Sequence, residues 1–377
     1  QGRRSANNAA EETRRLFAED AKLSDEYNHR LLNGKWKHMM DQTHIGYIAW
    51  NDPPVNSMPA VQYVQPLEEP RMGVATEGSE RAMNGRDWSA LMLRPFDSFN
   101  QQTRSITLFN MGLETFHWTA KADAPWIRLS AKQGTVNADE SLKVGIDWAT
   151  APAGTDESAI HITQDGGASY TVRVRANQPA EVRRENLNGF AEVSGSLSIE
   201  AEHTTARSEG TGPLRWELLP GYGETLSAMT VFPVDAQSAA DPARSATLEY
   251  RVYFDDAGAF DGDFILAPTM SVQPGRGLRF AIGVDDGAST LVDAMANNTQ
   301  AEWEKVVTEG VRHLPATVTI PARGYHTLKI HAVDPGVVLE KIVLRQPRAG
   351  NVSEFSASAG RSTLGPSESF HVIKTAP

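Results

Sequence analysis

From Trp88 onward the apolar residues of this chain fall at every second position in short runs, and that alternation limits the fold more than any other feature. The runs ALMLRPF, RSITLFN, FHWTAKA, WIRLSA, LKVGIDW, SAIHIT and YTVRVRA are rich in β-branched and aromatic residues and are punctuated by Gly and Pro. A period of two turns one face to a core and the other to water, so each run reads as a half-buried strand. About seven strands at this spacing predict an antiparallel, immunoglobulin-like sandwich over residues 87–178. Trp118, Trp126 and Trp148 lie in these runs and are expected in its core.

A second alternating block covers residues 190–347. Its strands are read at SLSIEAEHTT, LRWELLP, SATLEYRVYF, GDFILAPT, GLRFAIGVD, ATVTIPA, GYHTLKIHAV and VVLEKIVLR. One helical insertion is expected at about Gln300–Gly310, QAEWEKVVTEG. This set fits a jelly-roll sandwich. Residues 179–189 read as a linker. Residues 348–377 form a tail with Ser, Gly and Pro throughout, and its closing SFHVIK could add an edge strand.

The first 60 residues obey a different period. Leu16, Leu23, Tyr27 and Leu31 share one helical face amid charged residues. Such a helix needs helical neighbours to cover its stripe, so residues 1–60 read as the end of a helical bundle, with residues 1–50 helical. Pro53, Pro54 and Pro59 stop any helix after Trp50. Residues 61–86 are polar and rich in Gly, Pro and Glu, and read as a linker. The expected fold class is therefore mainly β: a helical-bundle remnant, then two β-sandwiches.

Composition removes several functions. The 377 residues hold no Cys, so disulfides, thiol catalysis and zinc–thiolate sites are excluded. Net charge is −11, which disfavours general binding to nucleic acid or anionic membranes. No run of about 18 apolar residues exists, which predicts no membrane-spanning helix. The opening QGRRSANN has no apolar core, so no signal peptide is expected within this chain.

Catalytic constellations are not legible. Asp255–Asp256, Asp261–Asp263 and Asp285–Asp286 pair carboxylates, but each pair comes within two residues of a Gly and reads as turn residues. His38 and His44 are six apart, which does not place them on one helix face. Gly221–Tyr222–Gly223 and Gly324–Tyr325–His326 read as loops carrying an aromatic ring. Such rings either latch a turn or offer a face to a sugar. Trp303, on the helical insertion, joins Tyr222 and Tyr325 as a candidate contact for sugar or a neighbouring subunit.

Lys35–Val61, KWKHMMDQTHIGYIAWNDPPVNSMPAV, resembles a segment of glycoside hydrolase family 115, the xylan α-1,2-glucuronidases. SIEAEH at Ser198, SAMTVFPV at Ser227, LEYRVYF at Leu248, GYHTLKIHAVDPGVVLEKIVL at Gly324 and LGPSES at Leu364 resemble the same family in the same order. The resemblance implies the C-terminal accessory portion of such an enzyme, supporting its catalytic barrel, its oligomerisation or its substrate cleft. Family enzymes remove glucuronic acid or its 4-O-methyl ether from xylan by inversion, with two carboxyl groups about 6.5–9.5 Å apart. By the resemblance those groups lie upstream of Gln1, so no catalytic residue is assigned here and the chain alone is expected to be inactive. Asp41, His44, Tyr47 and Trp50 are expected to close the helical domain, with His44 and Trp50 also candidates at the substrate cleft. The implied partners are glucuronoxylan through the parent enzyme, the other domains of the same polypeptide, and a second copy in a homodimer. The implied location is secreted or periplasmic.

PWIRLSAKQGTV is similar to bacterial immunoglobulin-like modules. The last sandwich resembles carbohydrate-binding modules of families 6 and 35, a galactose-binding-like fold. In those modules a Glu-x-Glu near the first strand and an acidic residue near the last hold a structural calcium. Glu200 and Glu202 match the first part, and Glu340 stands where Asp is more usual. A surface ion pair is the other reading, and no cofactor is required. A free-standing carbohydrate-binding or cell-surface β-sandwich protein without catalysis remains the alternative for the whole chain.

Overall fold

The computed structural model describes residues 1–79, 81–84, 91–347 and 365–373. The start of the alternation at Trp88, the boundary at 86/87 and most of the tail lie outside the described residues. Within the described residues the chain is mainly β, with one N-terminal helical run and four sheets. No helix among them is long and apolar enough to cross a membrane. The chain divides into two compact units. One holds Gln1–Arg94, Thr103–Asp147 and Glu157–Val174; the other holds Pro95–Gln102, Trp148–Asp156 and the chain from Arg175 onward.

In the first unit the helix Ser5–Asp25 continues through one wide turn, Glu26–Arg30, and a tight one, Leu31–Gly34. It stops there because Leu32, Asn33 and Gly34 all take positive φ (48°, 58° and 79°), which no right-handed helix accommodates. Residues 35–50 were expected to be helical; they contain no helix. The helix start is held by Arg4 N–H donating to Asn110 O at 2.9 Å and by Asn7 bracketing the Val64 backbone. Its apolar stripe is open: Leu16, Leu23 and Leu31 are exposed, and only Ala10 of the helix is buried. Trp50 is 94% exposed.

The stretch expected as a linker, 61–86, contains the strand Met72–Thr76, all five residues buried, paired with Arg104–Asn110. A strand covered on both faces loses its alternation, which is why MGVAT carries no period-two signal. Asp139–Ile146 and Ile127–Leu129 extend this sheet. A second sheet runs Leu91–Met92, Ser169–Gln178, Gly154–Gln164, Phe116–Ala122, Gln133–Val136. Trp118 and Trp126 are buried as expected, but Trp126 lies in the turn before Ile127–Leu129, and Trp148 is half-buried in a turn, so neither is in a strand.

The second unit has two sheets around one core. One runs Thr290–Asp293, Arg279–Val284, Gly324–Ala332, Thr247–Phe254, Gly189–Ala191, His371–Val372, with Ala206–Ser208 also on Thr247–Phe254. The other runs Arg215–Pro220, Ser227–Phe232, Val338–Arg345, Gly258–Leu266, Arg312–Ile320, with Ser196–Glu200 also on Val338–Arg345. Leu248, Tyr250, Val252 and Phe280 from the first meet Ile199, Phe260, Phe264 and Ile342 from the second in one apolar cluster. The edge strand expected in the tail is His371–Val372, antiparallel to Gly189–Ala191. Asp255–Asp256 and Asp285–Asp286 sit at turns as expected, but Asp261 and Asp263 lie within Gly258–Leu266. There the neighbouring Phe260 and Phe264 take the inward positions, which leaves the aspartates on the outer face. The second expected linker, 179–189, buries Val182 and Leu187 against Phe99, Ala191 and Tyr253.

Glu192 is fully buried, and its carboxylate joins two turns by accepting N–H groups from Gly195 (2.5 Å), Asp255 (2.9 Å) and Asp256 (3.0 Å). Burial pushes it from 4.5 up to about 7, against those N–H groups, with the nearby Asp256 charge adding. A carboxyl raised on folding favours the fold below about pH 4.5 and loses that contribution as pH rises toward 7. A shift of that size is worth about 3 kcal/mol. Urea titrations at several pH values should show this decline in the wild type and a flatter profile in Glu192→Gln. An identical pH slope in the two proteins would contradict the assignment.

Candidate functional site

The acidic residues singled out in the sequence converge at one end of the second unit. Ser196–Glu200 lies antiparallel to Val338–Arg345, with Glu200 opposite Lys341. The latter strand is bulged. Against Gly258–Leu266, Lys341 faces Ile265 and Leu339 faces Leu266, so Glu340 is the extra residue. A bulge re-aims side chains that strict alternation would separate. Here it lets consecutive Glu340 and Lys341 both belong to the cluster.

The carboxylates are buried and incompletely partnered. Glu200 Oε1 is 2.9 Å from Lys341 Nζ, with both side chains under a tenth exposed. Glu340 Oε2 accepts the Glu224 N–H at 2.9 Å. Glu200 Oε2, Glu202 Oε2, Glu340 Oε1 and Thr225 Oγ1 are buried without a hydrogen-bond partner among the described residues. Burial pushes the Glu340 carboxyl up, and the Glu224 and Glu200 charges add to it. Burial raises Glu202 as well, with Glu200 and Glu368 adding. Orphaned buried oxygens beside like charges are what a hard cation with oxygen ligands would satisfy. The three carboxylates do not gather within 4.8 Å of one another, so a cation would draw them inward.

The Tyr222 loop closes over this cluster. Gly223 has φ +97°, and a Cβ there would stand 2.5 Å from Glu340 Cδ. The Glu224 side chain lies against Gly310, whose φ of +73° ends the helix Gln300–Glu309. That helix starts where Thr299 Oγ1 accepts the Glu302 N–H at 3.2 Å. The Tyr222 loop therefore borders the acidic cluster, and the end of the helix that carries Trp303 borders that loop through Gly310 and Glu224. Tyr222 is 46% exposed, and the Arg312 guanidinium stands 5.9 Å from the Trp303 ring centre.

Other candidates are placed elsewhere. Tyr325 lies in the strand Gly324–Ala332, not in a loop. Its ring meets Tyr253 edge-on at 5.4 Å beneath the Arg251 guanidinium, and its hydroxyl accepts the Asn188 N–H at 3.2 Å. His44 and Trp50 belong to the first unit. His44 Nε2 faces the Asp20 carboxylate at 3.0 Å, which together with the Gln42 carbonyl raises its pKa. Asp41 accepts from Asn28 Nδ2 at 2.8 Å, and the Tyr47 hydroxyl donates to Asp52 at 2.5 Å.

A second group stands beside the acidic cluster. His203 Nδ1 is 2.9 Å from each oxygen of Glu368, and His371 Nδ1 is 3.8 Å from Glu368 Oε2. Nothing in the sequence pattern marks these residues, because His203 and Glu368 are 165 positions apart. The only local signal is that His203 ends SIEAEH and Glu368 lies in LGPSES.

No curated protein matches this chain. Among solved structures it is similar to the family GH115 4-O-methyl-α-glucuronidase BtGH115A, at 17% identity and a TM-score of 0.32, over 47% of this chain and 20% of that one. The chain thus spans about a fifth of that enzyme's length. It is also similar to a family 35 carbohydrate binding module from Clostridium thermocellum, at 16% identity and TM-score 0.28, over 40% of this chain and 98% of that one. CsCBM6-3 from Clostridium stercorarium is similar at 17% identity and TM-score 0.25, over 41% and 100% of the two chains. Residues 189–368, which carry the acidic cluster and the Tyr222 loop, match the Glycosyl hydrolase family 115 C-terminal domain.

Proposed function

We propose that this chain is the C-terminal accessory portion of a secreted or periplasmic xylan α-1,2-glucuronidase. The match of residues 189–368 to the family 115 C-terminal domain carries the reading. The division of labour follows from the chemistry. Inverting hydrolysis needs two carboxyl groups facing across a sugar-sized cleft. The buried carboxylates here lie at one end of the unit instead, and although Lys341 pairs with Glu200, the unpartnered oxygens left on Glu200, Glu202 and Glu340 suit holding a cation better than protonating a leaving group. Glu200, Glu202 and Glu340 would hold calcium, and the ion would fix the Tyr222 loop through Glu340 and Glu224. Tyr222 would then offer aromatic surface to glucuronoxylan, with Trp303 on the neighbouring helix as a second candidate contact. The exposed row of Leu16, Leu23 and Leu31, with Ile48 and Trp50, supports a reading in which other domains of the same polypeptide, or a second copy, cover the first unit.

Affinity electrophoresis through gels containing glucuronoxylan tests the binding role. Retardation should be lost in Tyr222→Ala and weakened by a calcium chelator. Equal mobility of the wild type with and without polysaccharide would remove the binding role. The 377-residue chain should release no glucuronic acid from aldouronic acids. Release above a blank, abolished by mutating a residue of this chain, would overturn the accessory reading.

A further inference from the structure

We propose that His203, Glu368 and His371 form a second metal site, for a borderline divalent cation such as zinc, separate from the acidic cluster. One ligand atom from each lies within 4.8 Å of the other two, and no other three described residues of this kind come so close. Tetrahedral ligands at ~2.0–2.1 Å from zinc stand about 3.3 Å apart. The observed separations of 2.9 Å for His203 and 3.8 Å for His371 from Glu368 bracket that value. Each of these two separations is within about half an ångström of the tetrahedral value, and the three ligand atoms together span no more than 4.8 Å.

The donor set selects the cation. Two imidazole nitrogens and one carboxylate suit zinc, whereas calcium and magnesium take oxygen ligands almost throughout. The neighbouring acidic cluster is all oxygen, so the two sites would sort the two kinds of ion. All three side chains are half-buried, which shields the site in part from solvent.

The ligands are held from behind. Glu368 Oε1 accepts the Glu200 N–H at 3.0 Å, which fixes the carboxylate against the end of Ser196–Glu200. The His371 ring is 4.7 Å from Phe190, a fully buried core residue. The His203 and His371 rings are 5.4 Å apart at 36°. Outer contacts of this kind orient metal ligands before the ion arrives. A simple hydrogen bond between His203 and Glu368 would require neither His371 nor its placement.

The consequence is a staple. His203 follows the first long strand of the unit, while Glu368 and His371 lie on the segment 365–373 that supplies its last strand. An ion held by all three ties that segment to the sandwich, and binding to the folded state alone raises stability.

Isothermal titration of zinc chloride into the full chain, stripped with chelator, tests this. One zinc per chain is expected, with affinity reduced at least tenfold in His203→Ala and in His371→Ala. Melting temperature should rise by several degrees at zinc on the order of 100 times Kd. Excess calcium should not displace the zinc. Absence of saturable binding, or wild-type affinity in both variants, overturns the proposal. Should a variant fail to fold, zinc-edge anomalous diffraction from the unaltered chain decides: a peak between the three side chains supports the site, and its absence there overturns it.

Discussion

Lys341→Met should lower the unfolding free energy of the second unit by about 3–5 kcal/mol in chelator, the range for breaking a buried ion pair by removing one partner. Lys341 is nearly fully buried, and its ammonium lies 2.9 Å from Glu200 Oε1. Methionine keeps most of the side-chain volume, so little of the loss arises from a cavity. What remains is Glu200 with a second orphaned oxygen, beside Glu340 and Glu202, with no cation to offset them. If Glu200, Glu202 and Glu340 hold calcium, millimolar calcium should restore a large part of the loss, because the ion supplies the missing positive charge. Urea unfolding in EGTA and in calcium separates the cases. A loss below 1 kcal/mol in EGTA would contradict the buried-pair argument. No calcium response in either the variant or the wild type would remove the calcium proposal and leave the ion pair standing.

Gly223→Ala should cost about 2–4 kcal/mol, through positive-φ strain together with displacement of a buried carboxylate. The new Cβ would stand 2.5–2.7 Å from three atoms of the Glu340 carboxyl group. That carboxylate cannot swing freely, since it accepts the Glu224 N–H in a buried pocket. Gly221→Ala is the matched comparison. Gly221 also has positive φ, +62°, but a Cβ there meets nothing within 4 Å. Its cost should be only the backbone term, about 1 kcal/mol. Measuring both by urea denaturation isolates the contact with Glu340. Equal losses at the two glycines would mean the loop does not close on Glu340. Gly223→Ala should also weaken any sugar binding through Tyr222, because the ring rides on the same loop.

Signals in the sequence succeeded where the cause was local. The helix Gln300–Glu309 was legible because its helical pattern interrupts alternating runs; in the structure Thr299 caps it and Gly310 ends it in the left-handed conformation. Thr247–Phe254 and Gly324–Ala332 were legible because most of their inward residues are large and apolar. The acidic cluster was half legible: the resemblance of SIEAEH and the last strand picked out Glu200, Glu202 and Glu340. It did not reveal Lys341 as the buried partner or Gly223 as the close contact.

The failures have equally definite causes. Met72–Thr76 is buried on both faces, so nothing alternates. Asp261 and Asp263 look like turn residues by composition, yet the pairing of Gly258–Leu266 with strands on both sides carries them into the sheet. Val182 and Leu187 sit in a stretch whose Pro, Asn and charged residues read as a linker, and only their burial against Phe99 and Tyr253 shows otherwise.

The amino-acid pattern alone determined that this is a largely β chain with a helical start, because strand and helix periods and helix caps act over a few residues. The convergence of His203 with Glu368 and His371, and the turning of Glu340 by a bulge, were decided only in the tertiary structure. Both depend on which strands pair and in what register across more than a hundred residues. A register is set by the summed burial of whole sheet faces, not by the residues that meet as a result.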